Sequence, residues 1–247
     1  MKANRIIITI DGPAGAGKST IAKLVAKRLR FHYLDTGAIY RAVTWKVINR
    51  GVGFKNKKAL VRLVKSSRIR FRQTDSGTKV MMDGRNISKR IRTPEVTNQV
   101  YHLAEMPAIR KEILAIQRKL AGKGNYVAEG RDVGSVVFPD AMVKFYLDAS
   151  DSERARRRFM ELQLQIEDRS EVDKRSAPDT ELTYEQVLKE IKLRDARDKS
   201  RKVAPLIKPK GAVVVDTTGM TINQVVHRIL YSVSQHPVLG RRKLRYS

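Results

Sequence analysis

One short segment narrows the possible folds of this chain more than any other. Gly12-Pro13-Ala14-Gly15-Ala16-Gly17-Lys18-Ser19, followed by Thr20, fits G-x-x-x-x-G-K-[ST] at every fixed position. Upstream, residues 5–10 form a β-branched run that stops at Asp11. Downstream, residues 17–29 carry a helical pattern. The segment therefore predicts strand, glycine-rich turn and helix. In that setting backbone amides wrap a phosphate and the helix start adds its positive dipole end. Lys18 reaches the β and γ phosphates of a nucleoside triphosphate and the Ser19 hydroxyl can ligate Mg²⁺.

Similar apolar runs recur at 31–34, 126–128, 143–147 and 212–215, each followed by polar turn residues and a helical pattern. Five strands alternating with helices predict an α/β fold: a five-stranded, mostly parallel sheet covered by helices on both faces. Capping boxes at Ser150–Glu153, Thr183–Gln186 and Thr221–Gln224 set three helix starts. Residues 55–92 break the rhythm. Lys55, Lys58, Arg62 and Lys65 recur at helical spacing, then Arg68, Arg70 and Arg72 alternate with Ile69 and Phe71. A helix and hairpin inserted between the second and third strands of the main sheet is expected. The acidic, proline-containing stretch 168–181 is too polar for core and suits a lid or a plain loop.

The chain has 247 residues, ample for a core, and a formal charge of +26. So large a charge first suggests a nucleic acid or an acidic membrane, but its distribution argues otherwise. Residues 55–92 hold 13 basic and 2 acidic residues, while 93–150 hold 7 of each. Aromatic residues make up only 6%, too few for a base-stacking platform. Zero cysteines exclude disulfides, thiolate zinc and a cysteine nucleophile, and four scattered histidines disfavour a histidine metal site. No apolar run near the start has the length of a signal peptide or membrane span, so a cytoplasmic protein is expected.

Ligands of open α/β sheets bind beyond the carboxyl ends of the strands. Asp11, Asp35, Glu129 and Asp132 lie there, and Asp35 and Glu129 are the best placed to hold the water shell of a metal. Each can instead cap the turn that follows it. Arg41, Arg110, Arg131, Arg194, Arg197 and Arg201 are raised above ordinary surface arginines by position. Arg194, Asp198 and Arg201 share one helical face at i, i+4, i+7. Guanidinium forks of this kind neutralise phosphate oxygens. Arg154, Arg157 and Arg158 form a second cluster, which is equally consistent with a solvated helix face.

GPAGAGKST, LDTGAIYRA, IRTPEVTNQV, EGRDVGSVVFPDA and LKEIKLRDARDKSRKVAPL, in this order and spacing, resemble the bacterial-type cytidylate kinases of the nucleoside monophosphate kinase fold. The resemblance runs from Ile6 to about Ile229. It implies transfer of a phosphoryl group from ATP, with Mg²⁺, to CMP or dCMP by a single-domain enzyme spanning 1–247. Residues 55–92 would be the monophosphate-binding insert, 158–182 the lid and 236–247 a basic tail. It implies that Thr36, Arg41 and Arg131 meet the CMP phosphate, that Arg110, Asp132 and Arg201 meet the cytosine edge, and that Arg194 and Asp198 hold the ribose. Lys18, Arg131, Asp132 and Arg157 would be catalytic, and Ser19, with Asp35 and Glu129 acting through water, would hold the metal. Tyr101 departs from the family, which carries a small serine at this position near the base. A monomer without a nucleic-acid or membrane partner is expected. Two readings compete: another P-loop nucleotide or small-metabolite kinase, for example one directed to UMP, and a nucleic-acid-binding P-loop protein.

Overall fold

The computed structural model describes residues 5–74, 77–122, 124–167 and 182–240. Strand β1 (Ile7–Asp11) leads through the glycine turn into α1 (Lys18–Leu29), and β2 (His32–Asp35) into α2 (Thr36–Asn49). The insert follows as α3 (Lys57–Lys65), β3 (Ile69–Thr74), β4 (Gly77–Met82) and β5 (Arg85–Asn86). Then come α4 (Pro94–Ala104), α5 (Pro107–Leu120), β6 (Tyr126–Gly130) and β7 (Val143–Asp148). The order continues with α6 (Asp151–Glu167), α7 (Tyr184–Ser200), β8 (Val213–Asp216) and α8 (Ile222–Ser234), and a single helical turn at Pro237–Gly240 follows.

The main sheet is parallel throughout, in the order β2-β6-β1-β7-β8. Every residue of β1 is buried, as a central strand covered on both faces must be. The side chains of β1 alternate between two cores. Ile6, Ile8 and Ile10 pack with α1 and α8, whereas Ile7 faces α2 and α5. The chain continues to β6 on one side of β1 and to β7 on the other, so the loops at the carboxyl end part there and leave a crevice. The strands end one or two residues later than the apolar runs suggest: Asp11, Asp35 and Glu129 lie within β1, β2 and β6 instead of just beyond them.

Residues 55–92 form a helix and a three-stranded antiparallel sheet, one strand more than the expected hairpin. Their apolar side chains, among them Leu60, Val64, Ile69, Val80 and Met82, share a core with α2 and α5. Lys46 of α2 pins the base of this insert: Nζ donates to Ser67 Oγ at 2.9 Å and pairs with Asp83 at 2.7 Å.

Both threonine capping boxes form as expected. The Ser150 box forms by half. Ser150 Oγ accepts the Glu153 amide at 3.2 Å, but the Glu153 carboxylate is taken by Arg156 and Arg157, and the Ser150 amide donates to Thr218 Oγ1 at 3.0 Å. Two neighbouring guanidinium groups outcompete one amide for the carboxylate. Of the expected lid, residues 158–167 are the second half of α6 and residues 168–181 lie outside the described residues, as do residues 241–247 of the basic tail.

Candidate active site

The glycine turn between β1 and α1 is built for close approach. A Cβ on Gly12 would lie 2.0 Å from the Leu147 carbonyl oxygen, and one on Gly15 would lie 2.8 Å from the Arg154 carbonyl oxygen, so β7 and α6 press directly on the loop. Helix α1 starts without a side-chain cap and without an acidic residue in its first turn, which leaves its amides free for an anion. Lys18 is buried and its Nζ folds back to donate to the Pro13 carbonyl at 2.5 Å. Burial, with the Arg131 and Arg194 guanidinium groups beside it, pushes this ammonium well below its usual range.

The β2–β6 ladder sets Asp35 directly beside Glu129. Ser19 Oγ donates to Glu129 Oε1 at 2.7 Å, and Tyr33 Oη donates to the same oxygen at 3.2 Å. Burial and the neighbouring Asp35 raise the Glu129 carboxyl above its usual range, against the pull of Lys18. Asp35 also caps α2 by accepting the Ala38 amide at 2.7 Å, and it pairs with Arg41 at 3.2 Å. The capping role and the site-facing position therefore coexist. Thr36 Oγ1 donates to the Glu129 carbonyl at 2.7 Å, and its side chain lies under the same strand end.

Asp11 goes the other way. Its carboxylate accepts the amides of Val133 and Gly134 at 2.5 and 2.8 Å, which holds the π-turn Val133–Val137 against β1. Burial pushes this carboxyl up to about 7 although both amides pull it down. It is structural.

Four arginines and Lys18 converge on the crevice. Arg131 Nε donates to Asp198 Oδ2 at 2.8 Å. Arg194 makes no hydrogen bond among the described residues. Burial, with Arg131, Arg41 and Arg158 nearby, pulls its guanidinium down to about 10. Arg41 Nε and Arg201 Nη2 are buried without a hydrogen-bond acceptor. Buried donors left open cost stability, about 1–3 kcal/mol each, and an arriving anion removes that cost. Arg110 and Asp132 form a buried ion pair, and the Arg110 guanidinium lies 5.6 Å from the centre of the Tyr40 ring. The Tyr101 ring lies under Arg197, 4.9 Å from its guanidinium, so α4 meets α7 through a cation–π contact.

Arg157 reaches the phosphate loop from another side, its Nη1 3.9 Å from where a Cβ on Gly17 would sit. Its guanidinium donates to Thr217 Oγ1 and to the Thr217 carbonyl at 2.9 and 2.7 Å, at the end of β8. Arg158 pairs with Glu161 at 2.8 Å on the α6 surface. Among the described residues no cluster of three or more histidine or acidic side chains could hold a metal ion. Sequence reasoning passed over Tyr33, Asp195 and Thr217, and placed Arg154 only in a cluster that could equally be a solvated helix face, whereas it is buried. For Asp195 a signal existed: it continues the i+4 stripe of Val187 and Ile191, where helix packing calls for an apolar residue. A groove of about 330 Å³ between α3 and the α4–α5 turn, lined by Lys57, Val61, Met106 and Pro107, shares no residue with the site.

A model of the cytidylate kinase family matches residues 8–235. The cytidylate kinase of Carboxydothermus hydrogenoformans is 43% identical over 235 residues, covering 95% of this chain and 97% of its own length. That of Salmonella arizonae is 41% identical over 240 residues, covering 97% and 100%. Among solved structures, an uncharacterised protein from Eubacterium ventriosum superposes with a TM-score of 0.51 at 11% identity, over 94% of this chain and 99% of its own; it shares the fold.

Proposed function

This chain belongs to the cytidylate kinase family, and it transfers the γ-phosphoryl group of ATP to CMP or dCMP; we propose that the residues converging on the β1 crevice divide that work as follows. The amides of Gly12 to Ser19 and Thr20, with Lys18, bind the triphosphate. Arg41, Arg131 and Thr36 bind the acceptor phosphate. Arg194 and Asp198 orient the ribose, while Arg110, Asp132, Arg201 and Tyr101 line the base.

The single observation that carries this reading is the buried cationic cluster. Arg131 and Arg194 lower the Lys18 ammonium, Arg131 lowers the Arg194 guanidinium, and Arg41 Nε and Arg201 Nη2 are buried without hydrogen-bond acceptors, so the cluster favours an arriving anion. In a phosphoryl transfer the transition state spreads negative charge over the transferred group, and a preorganised cationic cradle stabilises it there. The rate comes from positioning and neutralisation, with little covalent work for the protein.

Base discrimination follows from hydrogen bonding. Cytosine offers an N4 donor and an N3 acceptor where uracil offers the reverse. The Asp132 carboxylate, held by Arg110, suits the N4 amine as an acceptor; uracil would set its O4 acceptor against it.

Ser19, Glu129 and Asp35 fit Mg²⁺, which takes few protein oxygens and keeps water and phosphate as its other ligands. When bound, the ion would supply positive charge that offsets the charge of the transferred phosphoryl group. Glu129 is already aimed by Ser19 and Tyr33. Arg157, held on Thr217, acts beside the phosphate loop from the β8 end of the site. The enzyme acts as a cytoplasmic monomer on free nucleotides; no helix among the described residues is long and apolar enough to cross a membrane.

Lys18→Ala tests the assignment. It is expected to abolish ADP formation in the presence of CMP while circular dichroism and Tm stay close to those of the parent. Persistent ADP formation would overturn the role of this loop.

A further inference from the structure

Helix α7 carries Arg194 and Asp198 toward the acceptor side, but the residue between them in sequence, Asp195, turns elsewhere. Val187, Ile191 and Asp195 form one buried stripe four residues apart, and Val187 and Ile191 pack on Ala155 of α6. An apolar residue would complete that stripe at no electrostatic cost. A carboxylate stands there instead, 5% exposed, and its partner Arg154 of α6 is 3% exposed.

The pair meets the phosphate loop at a single residue. Arg154 Nη1 donates to Asp195 Oδ2 at 2.5 Å and to the Ala14 carbonyl at 2.9 Å, while Asp195 Oδ1 accepts the Ala14 amide at 3.4 Å. Both polar groups of one loop residue are thus held by side chains from two different helices. Arg154 is fixed further by the Ala149 carbonyl at 3.0 Å and by Asp151, and its own backbone lies where a Cβ on Gly15 would sit. Replacing a buried ion pair by apolar residues of similar volume is often neutral or stabilising, so stability alone does not account for this one.

We infer that Arg154 and Asp195 are positioning residues that clamp the Ala14 peptide and so couple acceptor binding on α7 to the geometry of the ATP-binding loop. Arg194 and Asp198 flank Asp195 on the same rigid helix; a shift of α7 on closing over the acceptor pulls directly on the loop. Occupancy of one substrate site then raises affinity at the other, and by linkage the effect is reciprocal. The inference rests on the acceptor role given above to Arg194 and Asp198.

The experiment measures the affinity for a non-hydrolysable ATP analogue by calorimetry on the full chain, alone and with saturating CMP, together with steady-state kinetics with ATP. Asp195→Asn and the double variant Arg154→Met with Asp195→Leu are compared with the parent. The double variant is expected to keep its Tm within a few degrees, because the stripe becomes apolar. It is also expected to raise KM for ATP at least about 10-fold, leave the Kd for CMP alone within about 2-fold, and reduce the effect of CMP on ATP affinity to near unity; a factor of 10 corresponds to one decade of coupling. Should Asp195→Asn fail to fold, Arg154→Lys, which keeps the charge but loses the fork, carries the same kinetic comparison. A well-folded double variant with parental ATP KM and parental coupling would overturn the proposal. A parent that binds ATP but shows no CMP-dependent turnover would instead overturn the acceptor assignment, and ATP binding alone would still report on the clamp.

Discussion

Arg131 Nε donates to Asp198 Oδ2 at 2.8 Å, which ties the end of β6 to the last turn of α7 across the mouth of the crevice. Burial opposes the charge on Asp198, but the guanidinium groups of Arg131, Arg201 and Arg194 outweigh it and hold the carboxyl below its usual range. Asp198→Asn removes the counterion of Arg131 and adds an unmatched cation to the cluster. It is expected to lower kcat/KM for CMP by about 10²-fold, with a stability loss of about 1–3 kcal/mol in urea titration, as for a hydrogen bond to a charged group. A variant with parental kinetics would remove Asp198 from the acceptor site.

Tyr101 occupies its place on α4 as a ring stacked under Arg197. Tyr101→Ser frees that guanidinium and removes the ring from the face of α4 that meets α7. The ratio of kcat/KM for CMP to that for UMP is expected to move by about 10-fold, the scale of one hydrogen bond or one small pocket change, while KM for ATP stays constant. Unchanged values for CMP, dCMP and UMP would exclude a role in selectivity.

Glu153 carries the clearest acid-range signature. Hydrogen bonds from Arg156 and Arg157 hold its carboxyl down at about 2, from an ordinary value of 4.5. A group whose folded pKa is depressed contributes stability above its unfolded pKa and loses it as pH falls through the folded value. Glu153→Gln is therefore expected to be less stable than the parent above about pH 4.5, and the difference is expected to close toward about pH 2. Solvent screening keeps the gap below about 1 kcal/mol. Tm measured across this pH range checks both sign and window.

The excess charge is a surface property in this account. Arg70, Arg72, Arg85, Lys89, Arg90 and Arg92 of the insert are exposed, and Arg72 pairs with Lys79 in the β3–β4 register. Binding of labelled RNA at low ionic strength is expected to fall steeply and vanish near 200 mM salt, following counterion release. Nanomolar binding that survives this salt would mark a nucleic-acid partner.

Much of this molecule is legible in its sequence because two periodicities govern it. The period-two alternation of Ile6, Ile7 and Ile8 places β1 between two cores, and the threonine boxes at Thr183 and Thr221 start their helices as written. Where the reading fell short, tertiary contacts decided. The Ser150 box lost its carboxylate to Arg156 and Arg157, which only the folded helix brings to it. Strand ends came late because backbone pairing, not side-chain polarity, extends β2 and β6 through Asp35 and Glu129. Within the site, the loop motif points to Lys18 and Ser19, and the strand-end position points to Glu129. Asp11 shared their position at a strand end yet serves the π-turn, a distinction set by which way its carboxylate points. Asp195 was hidden because a charge on a helix usually means a solvated face, and here it means the opposite.

The most direct test of the account is a set of initial rates with ATP and Mg²⁺ against CMP, dCMP, UMP and AMP in turn. CMP and dCMP are expected to be phosphorylated with kcat/KM at least about 10²-fold above AMP and clearly above UMP, because only cytosine satisfies both Asp132 and its facing arginines. A preference for UMP or AMP over CMP would contradict it.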